Sequence, residues 1–529
     1  MTCHDVLDRQ RNSFSTSHKN RFLLDSQLVM DDEADVVPIR GDDDVQGYPS
    51  RRARREHDIE CWRKLGYGVG HFYNDLCASM WFTYLMIYLE KVLRFRSSRA
   101  GFLMLIGQVT DAISTPLVGI ASDSSFLPRW FDKIGRRISW HMIGTLCVTL
   151  SFPFIFNRCF VCSDTSSEWY KVLWFVPFIM LFQFGWASVQ ISHLALIPEL
   201  SSIDSSRTTM NSLRYSFTVI ANLSVFIVLA WFLSRSTEHS EIGPYDFTHF
   251  QTAGFIVVGS GLLVTFLFYA LVSEPEHGRR LSRVNSISSD ASELIRMHWT
   301  SWFGYIQFYQ IALLYMLSRL CINVSQVYFP FYITLTQNYS KKYVAIFPMV
   351  SYLSSFLIST VNGLPCLNTL INRKFLFLLG VLSGLGTCVW MLFELSLWQM
   401  YFVAGLMGVT QSILLVTSLS ITADLINRNT ESGAFVYGAM SFVDKLANGV
   451  AYQIIELWNP SCDPTQPHRA CQIFYRTIMV YVPGGCLLAA LIILLSLIPS
   501  RIGRRIRRAQ SPDQVAIMDD DGLVAEVEQ

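Results

Sequence analysis

Five ionisable side chains stand deep inside stretches of sequence that are otherwise too apolar to hold charge: Asp75, Asp111, Arg214, Arg319 and Lys445. A charge near the centre of a bilayer is costly, so each of these must face protein, water or a solute. His71, Asn74 and Asp75 are spaced i, i+3, i+4 and share one helical face. Asp75 falls about nine residues into its apolar stretch, hence about 14 Å deep at the helical rise per residue. Asp111 reaches a similar depth midway between Arg99 and Asp123, with Ser114 and Thr115 on its face. Lys445 follows Asp444 in the middle of another apolar stretch, Arg319 lies deep in a third, and Arg214 sits nearer one end of its own.

Two acids and up to three bases shielded from lipid suit a zwitterionic solute. A carboxylate answers its ammonium, and a guanidinium or ammonium answers its carboxylate. The same charges could instead pair with one another as internal salt bridges, and the residue types alone leave both readings open. We take Asp75, Arg214, Asn74 and Arg319 as substrate-binding candidates. Asp111, Lys445, Ser114, Thr115 and His71 are candidates for coupling or gating. No zinc-ligand spacing, phosphate loop or nucleophile elbow occurs, so no enzyme, cofactor or metal is expected.

The elements that carry these residues follow from composition. Of 529 residues, 51% are hydrophobic and 16% charged, with mean hydropathy +0.32. A soluble domain carries roughly 25% charged residues, so much of this surface must face a lipid bilayer. The net charge of +1 argues against nucleic acid. A spanning helix needs about 20 mostly apolar residues. Twelve stretches qualify, near 65–90, 99–122, 138–157, 171–198, 209–233, 250–272, 303–336, 343–361, 375–394, 400–426, 433–457 and 477–498. The long polar interval after the sixth divides them, giving an all-α membrane protein of two six-helix halves around a central cavity. The expected organisation is a disordered cytosolic leader at 1–60, helical bundles at 61–272 and 303–499, a central cytosolic loop at 273–302 and a cytosolic tail at 500–529. No signal peptide is seen at the start.

Lys and Arg near span ends favour the cytosol. Arg51 to Arg55, Arg129 to Arg137, Arg279 to Arg296, Arg373-Lys374 and Arg501 to Arg508 fall on one face if both termini are cytosolic. The loop 91–99, with Lys91, Arg94, Arg96 and Arg99, dissents. Cys159, Cys162, Cys462 and Cys471 lie on the opposite, more oxidising side, as disulfides or as free loop thiols. The sequon at Asn338 falls there too, as a candidate glycosylation site, while those at Asn222 and Asn323 lie within spans. Asp290 with Leu294 and Ile295 has the acidic-xxx-Leu-Ile form read by endolysosomal sorting adaptors; the alternative is an amphipathic helix lying on the membrane.

Gly119-Ile120-Ala121-Ser122-Asp123 followed by Gly135-Arg136-Arg137 resembles the loop signature of the major facilitator superfamily, widened by an insertion. The strings from Tyr67, from Thr110 and from Ala423 to Lys445 resemble its sugar–cation symporter branch, which contains melibiose permease. The resemblance implies the twelve-helix major facilitator fold, with sugar-site residues at Asp75 and Arg214, a cation-site acid at Asp111 and a lysine between the sites at Lys445. Thr115 stands where that branch has a second cation-site aspartate. Gln190, a further substrate-binding candidate, stands where it has a substrate aspartate, and Leu194 where it has a tryptophan. The acidic cage is thinned, which argues against sugar and against sodium. Strings such as VGHFYNDLCASMWFTYL and FQFGWASVQISHLALIPEL are most similar to an animal group within this superfamily, over roughly 62–500. That resemblance implies import of cysteine into lysosomes and melanosomes. Carriers of sugars or lysolipids from the same branch, and a non-transporting membrane scaffold, are the alternatives.

Overall fold

A computed structural model describes residues 60–123, 127–128, 131, 134–163, 165–201, 203–235, 241–274, 299–362, 372–426, 433–460 and 468–499, with 502, 506–508, 515–518 and 524–525. Asp290, Leu294, Ile295 and Cys462 lie outside the described residues. The helices belong to one compact unit formed by Asp58–Val361 and Arg373–Gln529. In chain order they are α2 (Ser97–Asp123), α3 (Arg136–Ile155), α4 (Glu168–Leu200), α5 (Asp204–Arg235) and α6 (Phe247–Leu271), preceded by an interrupted α1. The second half has α7 (Ile306–Phe331), α8 (Tyr343–Asn362), α9 (Arg373–Trp390), α10 (Leu397–Ile426), α11 (Gly433–Leu457) and α12 (His468–Leu497). These match the apolar stretches closely. The main departures are α12, which begins at His468, ahead of its apolar stretch, and α9, which stops at Trp390.

Among the described residues, 10 helices are long and apolar enough to cross a membrane. The two spans that fail this test are informative. α1 is built of Cys61–Val69, Phe72–Ser79 and Leu85–Ile87, separated by a break at Gly70 and by a π-turn at Met80–Tyr84, and ends in a second π-turn at Tyr88–Val92. α11 is unbroken, but Asp444, Lys445 and Glu456 dilute its apolar character. The spans that look least like membrane helices are those that carry the most chemistry. Elsewhere the outer surface is apolar: Ile120, Phe266 and Ile492 are 70%, 71% and 68% exposed. Side chains of that kind face lipid rather than water.

The halves meet where α2 packs along α11 and where the Met80–Tyr84 turn and Leu85–Ile87 of α1 pack against α7. We call the end of the bundle where α1 begins and α12 finishes the proximal end, and the other the distal end. The C-terminal tail adds a small antiparallel sheet, β1 (Ile506–Arg508), β2 (Val515–Met518) and β3 (Val524–Ala525), in the order β1-β2-β3.

Candidate functional site

The break in α1 places the first group of site residues. At Gly70 an added Cβ would stand 2.7 Å from His193 Nε2 and from the Phe268 ring, so only glycine lets α1 turn this close to α4 and α6. His193 stacks on Tyr67 with ring centroids 4.2 Å apart and donates to the Tyr67 carbonyl at 2.9 Å. His141 donates to the Gly70 carbonyl at 3.1 Å. These contacts fix the joint, and the next piece of α1 starts with His71 at its cap. His71 Nδ1 lies 2.9 Å from Asp75 Oδ1, and Thr218 of α5 donates to Asp75 Oδ2 at 2.7 Å. Asn74 donates to the Trp186 carbonyl at 3.4 Å, and Trp186 Nε1 donates to Gln190 at 3.0 Å, so α1 is tied to α4 on the same level.

Arg214 lies one turn before Thr218, whose hydroxyl also donates to the Arg214 carbonyl at 3.1 Å. Its guanidinium acts on Tyr67 and His193. Its Nε is buried and has no hydrogen-bond partner. An unpartnered buried donor of this kind is destabilising on its own. Asp75 is therefore held by the Thr218 hydroxyl with His71 close beside it, while Arg214 keeps donor capacity unused.

In the second half, Arg319 Nε lies 3.3 Å from Asp444 Oδ2. Asn448 donates to Asp444 Oδ1 at 2.7 Å and to its carbonyl at 2.8 Å. Arg319, expected to bind solute, thus has an internal carboxylate partner, although its side chain keeps 28% exposure. Lys445 bridges the halves: its Nζ is 2.7 Å from both Asp111 Oδ1 and Thr115 Oγ1. Thr115 also donates to Asp111 Oδ1 at 3.2 Å, and Ser114 is buried beside them. The ammonium occupies the oxygens a cation would use.

Between the two charged groups stands Tyr352 of α8, within electrostatic reach of Asp75 and Arg319. Its hydroxyl accepts from Gln326 at 2.6 Å, and Gln326 also reaches Thr83 of α1 at 3.2 Å. The sequence reading missed Thr218, Gln326, Tyr352 and the pairing role of Asp444. The hydroxyls and amides have no local signature, whereas Asp444 was visible as a further intramembrane charge.

The distal end explains other features of the sequence. Arg99, in the dissenting basic loop, pairs with Glu168 and lies over the Trp169 ring, so its charge is neutralised locally. Lys341 Nζ is 2.8 Å from Asp246 Oδ1, both almost wholly buried, which joins the α7–α8 turn to the α5–α6 turn; His249 reaches the same oxygen at 3.3 Å. Cys159 and Cys162 are bridged, with Cα atoms 5.4 Å apart, and Cys471 is disulfide-bonded. Asn338 is exposed, with φ of 55°, whereas Asn222 and Asn323 are buried. At the proximal end Arg137 pairs with Glu199 at 3.0 Å and donates to Ser122 at 2.8 Å. Glu274 accepts from the Arg137 and Ile138 backbone amides at the start of α3, behind Gly135 with φ of 105°. Burial, and then the nearby Glu199, push the Glu274 carboxyl above its ordinary range.

Two six-helix halves joined through buried charge pairs define a polytopic membrane carrier. The chain belongs to the major facilitator family described as MFS/sugar transport protein, whose pattern matches residues 66–499. It is 41% identical over 464 residues to the human major facilitator superfamily domain-containing protein 12, covering 84% of this chain and 95% of that protein. The horse protein of the same description is 42% identical over 449 residues, covering 82% and 92%. Among solved structures, the nucleoside transporter NupG superposes with a TM-score of 0.58 at 12% identity, covering 82% of this chain and 99% of that one. That likeness speaks for the fold alone. That family consists of transport proteins rather than enzymes, so the chain is a membrane carrier.

Proposed function

We propose that this carrier moves cysteine, as a small zwitterion, into lysosomes or related organelles by alternating access. The observation that carries the reading is the buried, unpartnered Nε of Arg214, one turn from the Thr218 that anchors the Asp75 carboxylate. A solute carboxylate would satisfy the guanidinium, and a solute ammonium would meet Asp75. Gln190 and Asn74 line the same level of the first half and offer neutral hydrogen bonds to the rest of the solute. The identity of the solute rests on the resemblance to the cysteine-importing group.

In this reading both termini face the cytosol, as the distribution of basic loops favours, and the distal end faces the organelle lumen. Asp290, Leu294 and Ile295 would recruit endolysosomal adaptors. The lumenal side would carry the Cys159–Cys162 bridge and a glycan at the exposed Asn338. The experiment is uptake of labelled cysteine, cystine, melibiose and lysolipid into vesicles that contain the purified protein. Cysteine uptake exceeding the other three supports the reading. Uptake of melibiose or lysolipid without cysteine would replace it.

A further inference from the structure

A second polar cluster lies at the distal end, apart from the solute site. Glu90 belongs to the closing π-turn of α1 and Glu456 to the last turn of α11, so they come from opposite halves. They are 7% and 1% exposed. Tyr475 of α12 donates to Glu90 Oε2 at 3.2 Å. Asn459 donates to Glu456 Oε2 at 2.8 Å and to the Tyr475 hydroxyl at 3.0 Å, and reaches Glu90 Oε1 at 3.4 Å. The single amide nitrogen of Asn459 thus touches both carboxyls, which holds them side by side. α2 closes the cluster from the first half, since a Cβ on Gly101 would stand 2.8 Å from Glu456 Cβ.

Two carboxylates held side by side repel unless a cation or a proton stands between them. Among the described residues neither carboxyl takes part in an ion pair. The titratable groups facing the pair are phenols, Tyr328 on α7 and Tyr475 on α12. The bases next along the chain are Lys91 and Arg476, and Arg476 acts on Tyr332. Glu456 Oε1 is buried without a hydrogen-bond partner. The Tyr328 hydroxyl, fully buried and within electrostatic reach of both carboxyls, likewise has no hydrogen-bond partner. A lone acceptor in that position becomes satisfied if it carries a hydrogen and donates it to the neighbouring carboxylate.

We propose that Glu90 and Glu456 form a proton-binding site that latches the distal end of the carrier. One proton, carried on Glu456 and donated to Glu90, joins the halves; when it leaves to water on the distal side, two adjacent carboxylates drive the halves apart. Acidity on the distal side therefore favours the distally closed state. The latch rests on the reading of the chain as an alternating-access carrier, whichever solute it carries. It is distinct from the Asp111–Lys445 contact, which is already neutral without a proton.

The test is a distance measurement on the full-length protein in lipid nanodiscs, which needs no solute. Cys61, an exposed thiol, is replaced by serine, as are Cys3 and Cys366. Spin labels go on Leu173→Cys at the distal end of α4 and Trp398→Cys at the distal end of α10, both exposed and in opposite halves. Raising the pH stepwise from acid to alkaline should shift the population from the short distance to a longer one. Glu456→Gln keeps a donor toward Glu90, and Glu90→Gln keeps one toward Glu456, so each should hold the short distance across the range. A wild-type distance that ignores pH, or variants that shift as the wild type does, would overturn the latch. Should either variant fail to fold, the wild-type titration and the other variant decide. Failure of cysteine uptake with the titration intact would count against the proposed solute and leave the latch standing.

Discussion

Replacing Lys445 with alanine removes the ammonium that neutralises Asp111 across the two halves. The side chains are 15% and 9% exposed and 2.7 Å apart, so the aspartate left behind has little water to replace its partner. Removing one member of a buried pair typically costs about 3–5 kcal/mol. Thr115 still donates to Asp111, which argues for the lower end, about 3 kcal/mol, or roughly a hundredfold in an equilibrium constant at about 1.4 kcal/mol per decade. Asp111→Asn combined with Lys445→Ala removes both charges and should recover most of that loss, since pairs in contact are not additive. The assay is unfolding of the purified single and double variants in one detergent. A double variant as unstable as the sum of the singles would show that the contact contributes nothing. The same geometry bears on coupling: because Lys445 occupies the Asp111 and Thr115 oxygens, uptake should be indifferent to an imposed sodium gradient. Strong stimulation by inward sodium would refute that.

Three further outcomes are expected. Asp75→Asn should lower cysteine uptake about 30-fold or more while the protein still reaches the membrane, from the ~2–5 kcal/mol usual for losing one partner of a desolvated charge contact; normal uptake would remove Asp75 from the site. Glu274 holds its proton more tightly folded than unfolded, because its carboxyl is raised, so its ionisation destabilises the fold and stability should fall as pH rises through the raised carboxyl range. Glu274→Gln should weaken that fall in melting temperature, and an unchanged pH profile would contradict it. Leu294→Ala with Ile295→Ala should move the protein from lysosomes to the cell surface by microscopy, and retention in lysosomes would assign targeting to another segment.

The fold was legible because membrane spans are written in runs of apolar residues, and most of the helices here are such runs. What the runs hid is where they are interrupted. The π-turns at Met80–Tyr84 and Tyr88–Val92 depend on packing against other helices rather than on local propensity, and no residue pattern marks them. The charges at mid-depth were legible for the same reason as the spans, since an ionisable residue in apolar sequence stands out. Their partners were only partly so. Lys445 and Asp111 could be paired by depth, but the diversion of Arg319 to Asp444 depends on how α7 faces α11. Glu90 and Glu456 escaped notice because both sit at span ends, where charge is unremarkable in sequence; only the fold brings them from opposite halves into one buried cluster. Asp246 and Lys341 escaped for the same reason.

The central claim, that the guanidinium of Arg214, with its buried and unpartnered Nε, receives the carboxylate of a small zwitterion, is tested most directly by equilibrium binding of labelled cysteine to the purified protein, wild type against Arg214→Gln. The wild type should bind cysteine, and cysteamine, which lacks the carboxylate, should fail to displace it. Arg214→Gln should lose about 30-fold or more in affinity, by the same ~2–5 kcal/mol for a desolvated charge contact, while melting at the wild-type temperature or above, since its unpartnered Nε is gone. Equal affinity in the two proteins, or displacement by cysteamine as effective as by cysteine itself, would contradict it.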